Sequence, residues 1–139
     1  MKFVRRSATA LLILAAVSVA SAAAQAKPKA KAGDPIVQDR PLSAWIADLG
    51  AAAPYTRVSA AYAVGSAGPA GKPAVPALIE NLSNENGAVR YSSTLALGEI
   101  GPDAAAAVPA LQNALDDRND DVSQMAKKSL RLITGESTE

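Results

Sequence analysis

Histidine and cysteine are both absent from this sequence of 139 residues. Without histidine the chain cannot assemble a Ser-His-Asp triad, a histidine-based zinc site or an imidazole general base. Without cysteine it has no disulfides, no thiol catalysis, no thiolate metal ligands and no attachment point for a lipoprotein anchor. We therefore expect no catalytic residues, no metal site and no cofactor.

A positively charged surface and a glycine-rich phosphate loop are also missing. Residues 41–139 contain seven Lys and Arg against eleven Asp and Glu, a net charge of −4, although the whole chain carries +1. An acidic domain repels phosphate backbones, and the glycines follow the spacing of helix ends rather than that of a phosphate loop. Nucleic-acid binding is therefore not expected.

What the sequence does contain is one pattern that occurs twice and then in part a third time. Residues 57–69 align with 90–102, and residues 74–78 align with 107–111, each at an offset of 33 positions. Repetition at a fixed period of this size is typical of solenoids, in which each unit buries its apolar face only against its neighbours.

Each unit is predicted to hold two antiparallel helices. Apolar and small residues at helical spacing, such as Val89, Ala96 and Ile100, indicate the first helix, and a Gly-Pro pair then ends it. Pro76 and Pro109 suit the first turn of the second helix, where a missing N–H costs nothing. Polar turns between the units supply helix caps.

The repeat resembles a known family. Val89-Arg90, the run Ala-Leu-Gly-Glu-Ile-Gly-Pro at 96–102 and Ala-Val-Pro-Ala-Leu at 107–111 are similar to the HEAT-type α-solenoids, and among them to the short bacterial phycobilisome-lyase HEAT-like repeat. The resemblance covers about residues 41–134. It implies an all-α fold, a short right-handed α-solenoid of about five helices. The pattern departs at Ser123, where the family has an arginine.

The chain divides into four parts. Residues 1–26 are predicted to be a signal peptide, with Lys2, Arg5 and Arg6 before an apolar run, and cleavage after Ala26 or after Ala22. Residues 27–40 are predicted to be a flexible linker. The repeat domain spans 41–135, and its parts are a cap helix at 41–52, repeat 1 at 55–87, repeat 2 at 88–120 and a second cap helix at 121–134.

The first 26 residues have an alternative interpretation as a retained membrane anchor, because they contain an uncharged stretch long enough to span a bilayer. Trp45, the only tryptophan, is expected to cover the N-terminal end of the core, with a ligand platform as the alternative. Substitutions are expected to be most damaging at six leucines: Leu78, Leu82, Leu97, Leu111, Leu115 and Leu130.

Two polar features have both a structural and a functional interpretation. The acidic cluster contains Asp117-x-Asn119-x-Asp121, which resembles the opening of a calcium loop, but the later glycine and glutamate are missing, so helix capping is favoured over a weak calcium contact. Arg57 and Arg90 occupy one repeat position. In this family that arginine ties neighbouring units together, which is favoured over a ligand role.

The resemblance implies that partners bind on the side of the second helices. The predicted solvent-facing residues there are Glu80, Asn81, Asn84, Gln112, Asn113 and Asp116. The sequence thus predicts a non-catalytic scaffold or adapter for a protein partner, exported to the periplasm or secreted. Two alternatives are a phycobilin-lyase-like enzyme or its accessory subunit, and an interaction module tethered by an uncleaved N-terminal helix.

Overall fold

A computed structural model describes residues 29–136. These residues form a short two-stranded hairpin and six α-helices, with a 3₁₀ helix before the third and the fifth α-helix. The elements in order are β1 (Ile36–Val37), β2 (Arg40–Pro41), α1 (Leu42–Asp48), α2 (Pro54–Ser66), a 3₁₀ helix (Gly68–Ala74), α3 (Val75–Asn81), α4 (Gly87–Ile100), a 3₁₀ helix (Gly101–Ala107), α5 (Val108–Ala114) and α6 (Asp120–Thr134). Within these residues no helix combines the length and hydrophobicity needed to cross a bilayer.

The helices form two layers. The long helices α2, α4 and α6 pack side by side in one layer, and the short helices α1, α3 and α5 each pack against the long helix that follows them. This is the stacking of helix pairs that a 33-residue repeat predicts, because one helix pair alone cannot bury its apolar face. The predicted all-α solenoid is confirmed.

The residues between the helices of a unit are more regular than the sequence suggested. Gly68 and Gly101 have positive φ values of 58° and 76°, in the region that glycine reaches without steric cost, so the long helix ends where predicted. A seven-residue 3₁₀ helix then connects the two α-helices of each unit. Pro76 lies in the first turn of α3, as expected.

The polar turns cap the long helices as predicted. The Asn86 side chain accepts hydrogen bonds from the N–H groups of Ala88 and Val89 at the start of α4. Asn119 does the same for Asp121 at the start of α6, and Gly135 ends that helix in the left-handed conformation. These caps satisfy backbone groups that have no partner inside the helix.

The leucine core follows the repeat, with one correction. Leu78, Leu97 and Leu111 are fully buried, whereas Leu82 and Leu130 are only partly buried. Leu115 is 41% exposed, so its predicted core role is wrong. It occupies the position of Leu82 in the last complete unit, and within the described residues no further short helix follows to cover it.

The N-terminal end of the stack is closed by the hairpin. Gln38 and Asp39 form a two-residue turn with positive φ at both positions, which suits the twist of a tight hairpin. Trp45 packs at the edge of the core and donates its indole N–H to the Val37 carbonyl at 2.9 Å, while the Arg40 guanidinium lies 4.0 Å from the centre of its ring. The expected covering role of Trp45 is confirmed, and Arg40 occupies one ring face.

The hairpin lies inside the range predicted as a flexible linker, 27–40. Before it, the Asp34 carboxylate accepts hydrogen bonds from both the backbone N–H and the hydroxyl of Ser43, so it caps the start of α1 from outside the helix. This part of the range is therefore folded against the domain. The predicted signal peptide at 1–26 lies outside the described residues, and the other segment boundaries stay predictions.

Candidate protein-binding surfaces

The residues predicted to bind a partner lie on and just after the short helices α3 and α5. Glu80, Gln112, Asn113 and Asp116 are exposed, and Asn84 is half-buried in the turn after α3. The Asn84 Oδ1 atom accepts a hydrogen bond from the Asn86 N–H at 2.9 Å, so this oxygen is already paired within the turn. These positions form the short-helix face, and their role in binding stays a prediction.

Asn81 does not belong to that face, and its predicted exposure to solvent is wrong. It is only 1% exposed. Its amide N–H donates to the Leu49 carbonyl at 3.0 Å, and its amide oxygen accepts from Arg57 at 2.7 Å. Asn81 follows Leu78 by three positions, which places both on the buried side of α3. A buried amide is stable there because both its donor and its acceptor are paired.

The Arg90 side chain donates four hydrogen bonds that connect two turns of the repeat. Its Nε and Nη2 donate to the two carboxylate oxygens of Asp117 at 2.8 and 2.9 Å. Its Nη1 donates to the carbonyls of Asn84 and Glu85 at 2.9 and 3.0 Å. One planar guanidinium thereby joins the turn before α4 to the turn before α6, a task for which the forked geometry of arginine is suited.

The ion pair between Arg90 and Asp117 is nearly buried, so water and salt screen it less than a surface pair. The side chains of Arg90 and Asp117 are 7% and 10% exposed. The hydrogen bonds from Arg90 lower the pKa of the Asp117 carboxyl, and this outweighs the opposing effect of burial, with further lowering from the Asn119 N–H. The same hydrogen bonds raise the pKa of Arg90. Both groups are therefore held in their charged forms.

Arg57 occupies the same repeat position but has neutral partners. Its guanidinium donates to the Ala51 carbonyl and, at 2.7 Å, to the Asn81 amide oxygen. Ala51 precedes Arg57 by six positions, as Asn84 precedes Arg90, so each arginine binds the turn before its own helix. The structural role predicted for this arginine position agrees with these contacts.

The acidic cluster serves the turn before α6. Both oxygens of Asp117 accept hydrogen bonds from Arg90, and one also accepts the Asn119 N–H. Asp120 and Asp121 lie in the first turn of α6, where negative charge is favourable beside the helix N-terminus. The capping side chain itself is that of Asn119, and the aspartates support the turn and the helix N-terminus around it, which agrees with the favoured structural interpretation. Within residues 29–136, no group of three or more acidic side chains is arranged to hold a metal ion.

A recess lies on the opposite side of the molecule, across the long helices. We call it the long-helix groove. It has a volume of about 670 Å³ and is lined by Val58, Tyr62, Gly87, Ala88, Tyr91, Asn119, Asp121, Gln124, Met125 and Lys128. The sequence did not predict this groove, because the family resemblance implied binding on the side of the short helices. The available signal was the pair of small residues Gly87 and Ala88 at the start of the central long helix.

Comparison with known proteins identifies the family of this chain. No curated protein matches the sequence. The family of HEAT repeats matches residues 42–131, well over half of the chain and nearly all of the helical stack. Repeats of this kind build scaffolds for protein interaction, with extended surfaces that follow from stacking one helix pair on the next. The chain belongs to the HEAT-repeat family.

Proposed function

We propose that this protein is an exported, non-catalytic scaffold that binds a protein partner through the surface of its short HEAT array. The observation that carries the proposal is the two-layer stack itself, which displays the same helix face in successive units. Such a surface recognises a partner over several contacts, without requiring reactive groups.

The polar chemistry of the described domain supports a non-catalytic role. Its most buried ion pair, between Arg90 and Asp117, connects two turns and therefore has a structural role. Arg57 and Asn81 are likewise paired with each other and with backbone carbonyls. The sequence provides neither histidine nor cysteine that would supply a base or nucleophile at neutral pH.

Export is supported by the sequence of residues 1–26, which has the charged start, apolar run and small residues of a secretory signal. Mass spectrometry of the mature chain tests this part of the proposal. A chain that begins at Ala23 or Lys27 supports export, whereas a retained Met1 contradicts cleavage and favours the tethered alternative.

Site-specific photo-cross-linking tests the binding function and separates the two candidate faces. A photoreactive residue is placed at Gln112 on the short-helix face or at Gln124 in the long-helix groove, both exposed, in the full-length protein in its native cells. A discrete protein adduct from either position supports the scaffold function. If the folded protein gives no adduct at either position, the proposed function is wrong.

A further inference from the structure

The long-helix groove has walls of defined chemistry because of helical spacing. On α6, Asp121, Met125 and Lys128 lie at i, i+4 and i+7, so all three face the groove. Seven residues of helix rise about 10 Å, which separates the two charges by that distance along the wall. Asp121 and Lys128 are both exposed, and among the described residues neither takes part in an ion pair.

The other side of the groove is aromatic and apolar. Val58 and Tyr62 lie one turn apart on α2, and Tyr91 rises from the central helix α4 between the two walls. Tyr62 is 44% exposed, and Val58 and Tyr91 are partly buried. At the start of α4, Gly87 and Ala88 have little or no side chain, so the floor is lowered there. The groove therefore runs between an aromatic wall and a wall that is negative at one end and positive at the other.

These features specify the occupant. An extended polypeptide advances about 3.3 Å per residue, so three residues cover the distance between the two charges. We propose that the long-helix groove binds an extended segment of a partner protein with Lys or Arg at one position, Asp or Glu three positions away, and apolar residues between them. The inference rests on the proposed scaffold function and adds the partner chemistry and the face.

Each part of the segment has a counterpart in the groove. The basic residue pairs with Asp121 and the acidic residue with Lys128, and the apolar residues pack on Tyr62, Tyr91 and Met125. Tyrosines are effective at such surfaces because a large rigid ring buries area at little cost in side-chain entropy. Since a peptide can lie in either direction, the groove selects opposite charges at the right separation rather than one sequence order.

A hexapeptide array probed with the full-length protein tests the inference. The peptides carry two charged residues three positions apart around an apolar pair, in all four combinations of sign. Peptides with opposite charges are expected to bind best, by about fivefold over those with one charge replaced, the ratio that one exposed ion pair provides.

Charge-reversal variants make the test specific to the groove. Asp121→Lys is expected to shift the preference to two acidic residues, and Lys128→Asp to two basic residues. Asp120→Lys and Lys127→Asp are the matched controls, because these exposed neighbours on α6 do not line the groove. Asp120→Lys also loses the same favourable interaction with the helix N-terminus as Asp121→Lys. The controls are expected to keep the preference for opposite charges.

The inference is overturned if the array shows no charge preference, or if the controls change the preference as much as the groove variants do. It is also overturned if a native partner cross-links through Gln112 and its capture is unaffected by Asp121→Lys. That last result leaves the scaffold function standing, whereas the absence of any cross-linked partner refutes the function itself.

Discussion

Replacing Arg90 with methionine tests how the stack is joined across its turns. The substitution keeps most of the apolar stem of the side chain but removes four hydrogen bonds, two of them to Asp117 and two to the carbonyls of Asn84 and Glu85. Asp117 is then left as a nearly buried carboxylate without its partner. Breaking such a pair is expected to lower the free energy of unfolding by about 3 kcal/mol, measured by urea denaturation at pH 7.

The pH dependence of this loss has a defined sign. Arg90 lowers the pKa of Asp117 in the folded state, so the ion pair contributes stability above the unfolded pKa of about 3.9. That stability is lost as the pH falls through the lower folded pKa. The difference in the free energy of unfolding between the wild type and Arg90→Met is therefore largest at pH 7 and becomes smaller below about pH 4.

Two further variants control the experiment. Arg57→Met removes the corresponding arginine from neutral partners, so we expect a smaller loss, about 1 to 2 kcal/mol, and a difference from the wild type that stays constant with pH. Asp117→Asn completes a double-mutant cycle with Arg90→Met, in which the coupling is expected to reach about 2 kcal/mol. The role assigned to the Arg90–Asp117 pair would be refuted by a coupling below about 0.5 kcal/mol. It would also be refuted if the difference in unfolding free energy between the wild type and Arg90→Met were the same at pH 3 as at pH 7.

Four further substitutions are checked by urea or thermal unfolding of the full chain. Leu111→Ala empties a fully buried position and is expected to cost about 2 to 5 kcal/mol, whereas Leu115→Ala, at a 41% exposed position, costs under about 1 kcal/mol; equal losses would contradict the burial described. Gly98→Ala places a Cβ 3.0 Å from the Ser129 Cα and is expected to cost about 1 to 3 kcal/mol by forcing α4 from α6, and an unchanged midpoint would disprove that close contact. Ser93→Ala removes a buried hydroxyl that has no hydrogen-bond partner among residues 29–136 and is expected to stabilise by about 1 kcal/mol, so any loss of stability would show that the hydroxyl is paired.

The core was predictable wherever a unit has neighbours on both sides. Leu78, Leu97 and Leu111 recur at the repeat spacing, and each meets helices supplied by an adjacent unit, so periodicity alone indicates their burial. The same reasoning failed at Leu115, because it assumed another short helix beyond the last unit. Helical periodicity identifies the face on which a residue lies, but burial also needs something to cover that face.

The sequence predicted the positions of the two structural arginines, Arg57 and Arg90, but not all of their hydrogen-bond partners. The sequence indicated an arginine that binds nearby turns in each unit, and both arginines do so. Their other partners differ because the repeat is imperfect. Asn81 aligns with Ala114 in the next unit, and Asp117 aligns with Asn84. Arg57 therefore meets an amide where Arg90 meets a carboxylate, a difference that depends on three-dimensional contacts 24 and 27 positions along the chain.

The division between repeated and varied positions explains where recognition is expected in this molecule. Positions that bury large apolar side chains or end the helices keep similar residues in successive units, as Leu78 and Leu111 do, so they carry little information about a partner. The groove instead uses one exposed or partly exposed position in all three long helices, filled by Val58, Tyr91 and Gln124. These positions are less tightly packed than the core, and the differences among their residues give the surface an apolar side and a polar side. We therefore expect specific binding by such a short array to depend on the positions at which its units differ.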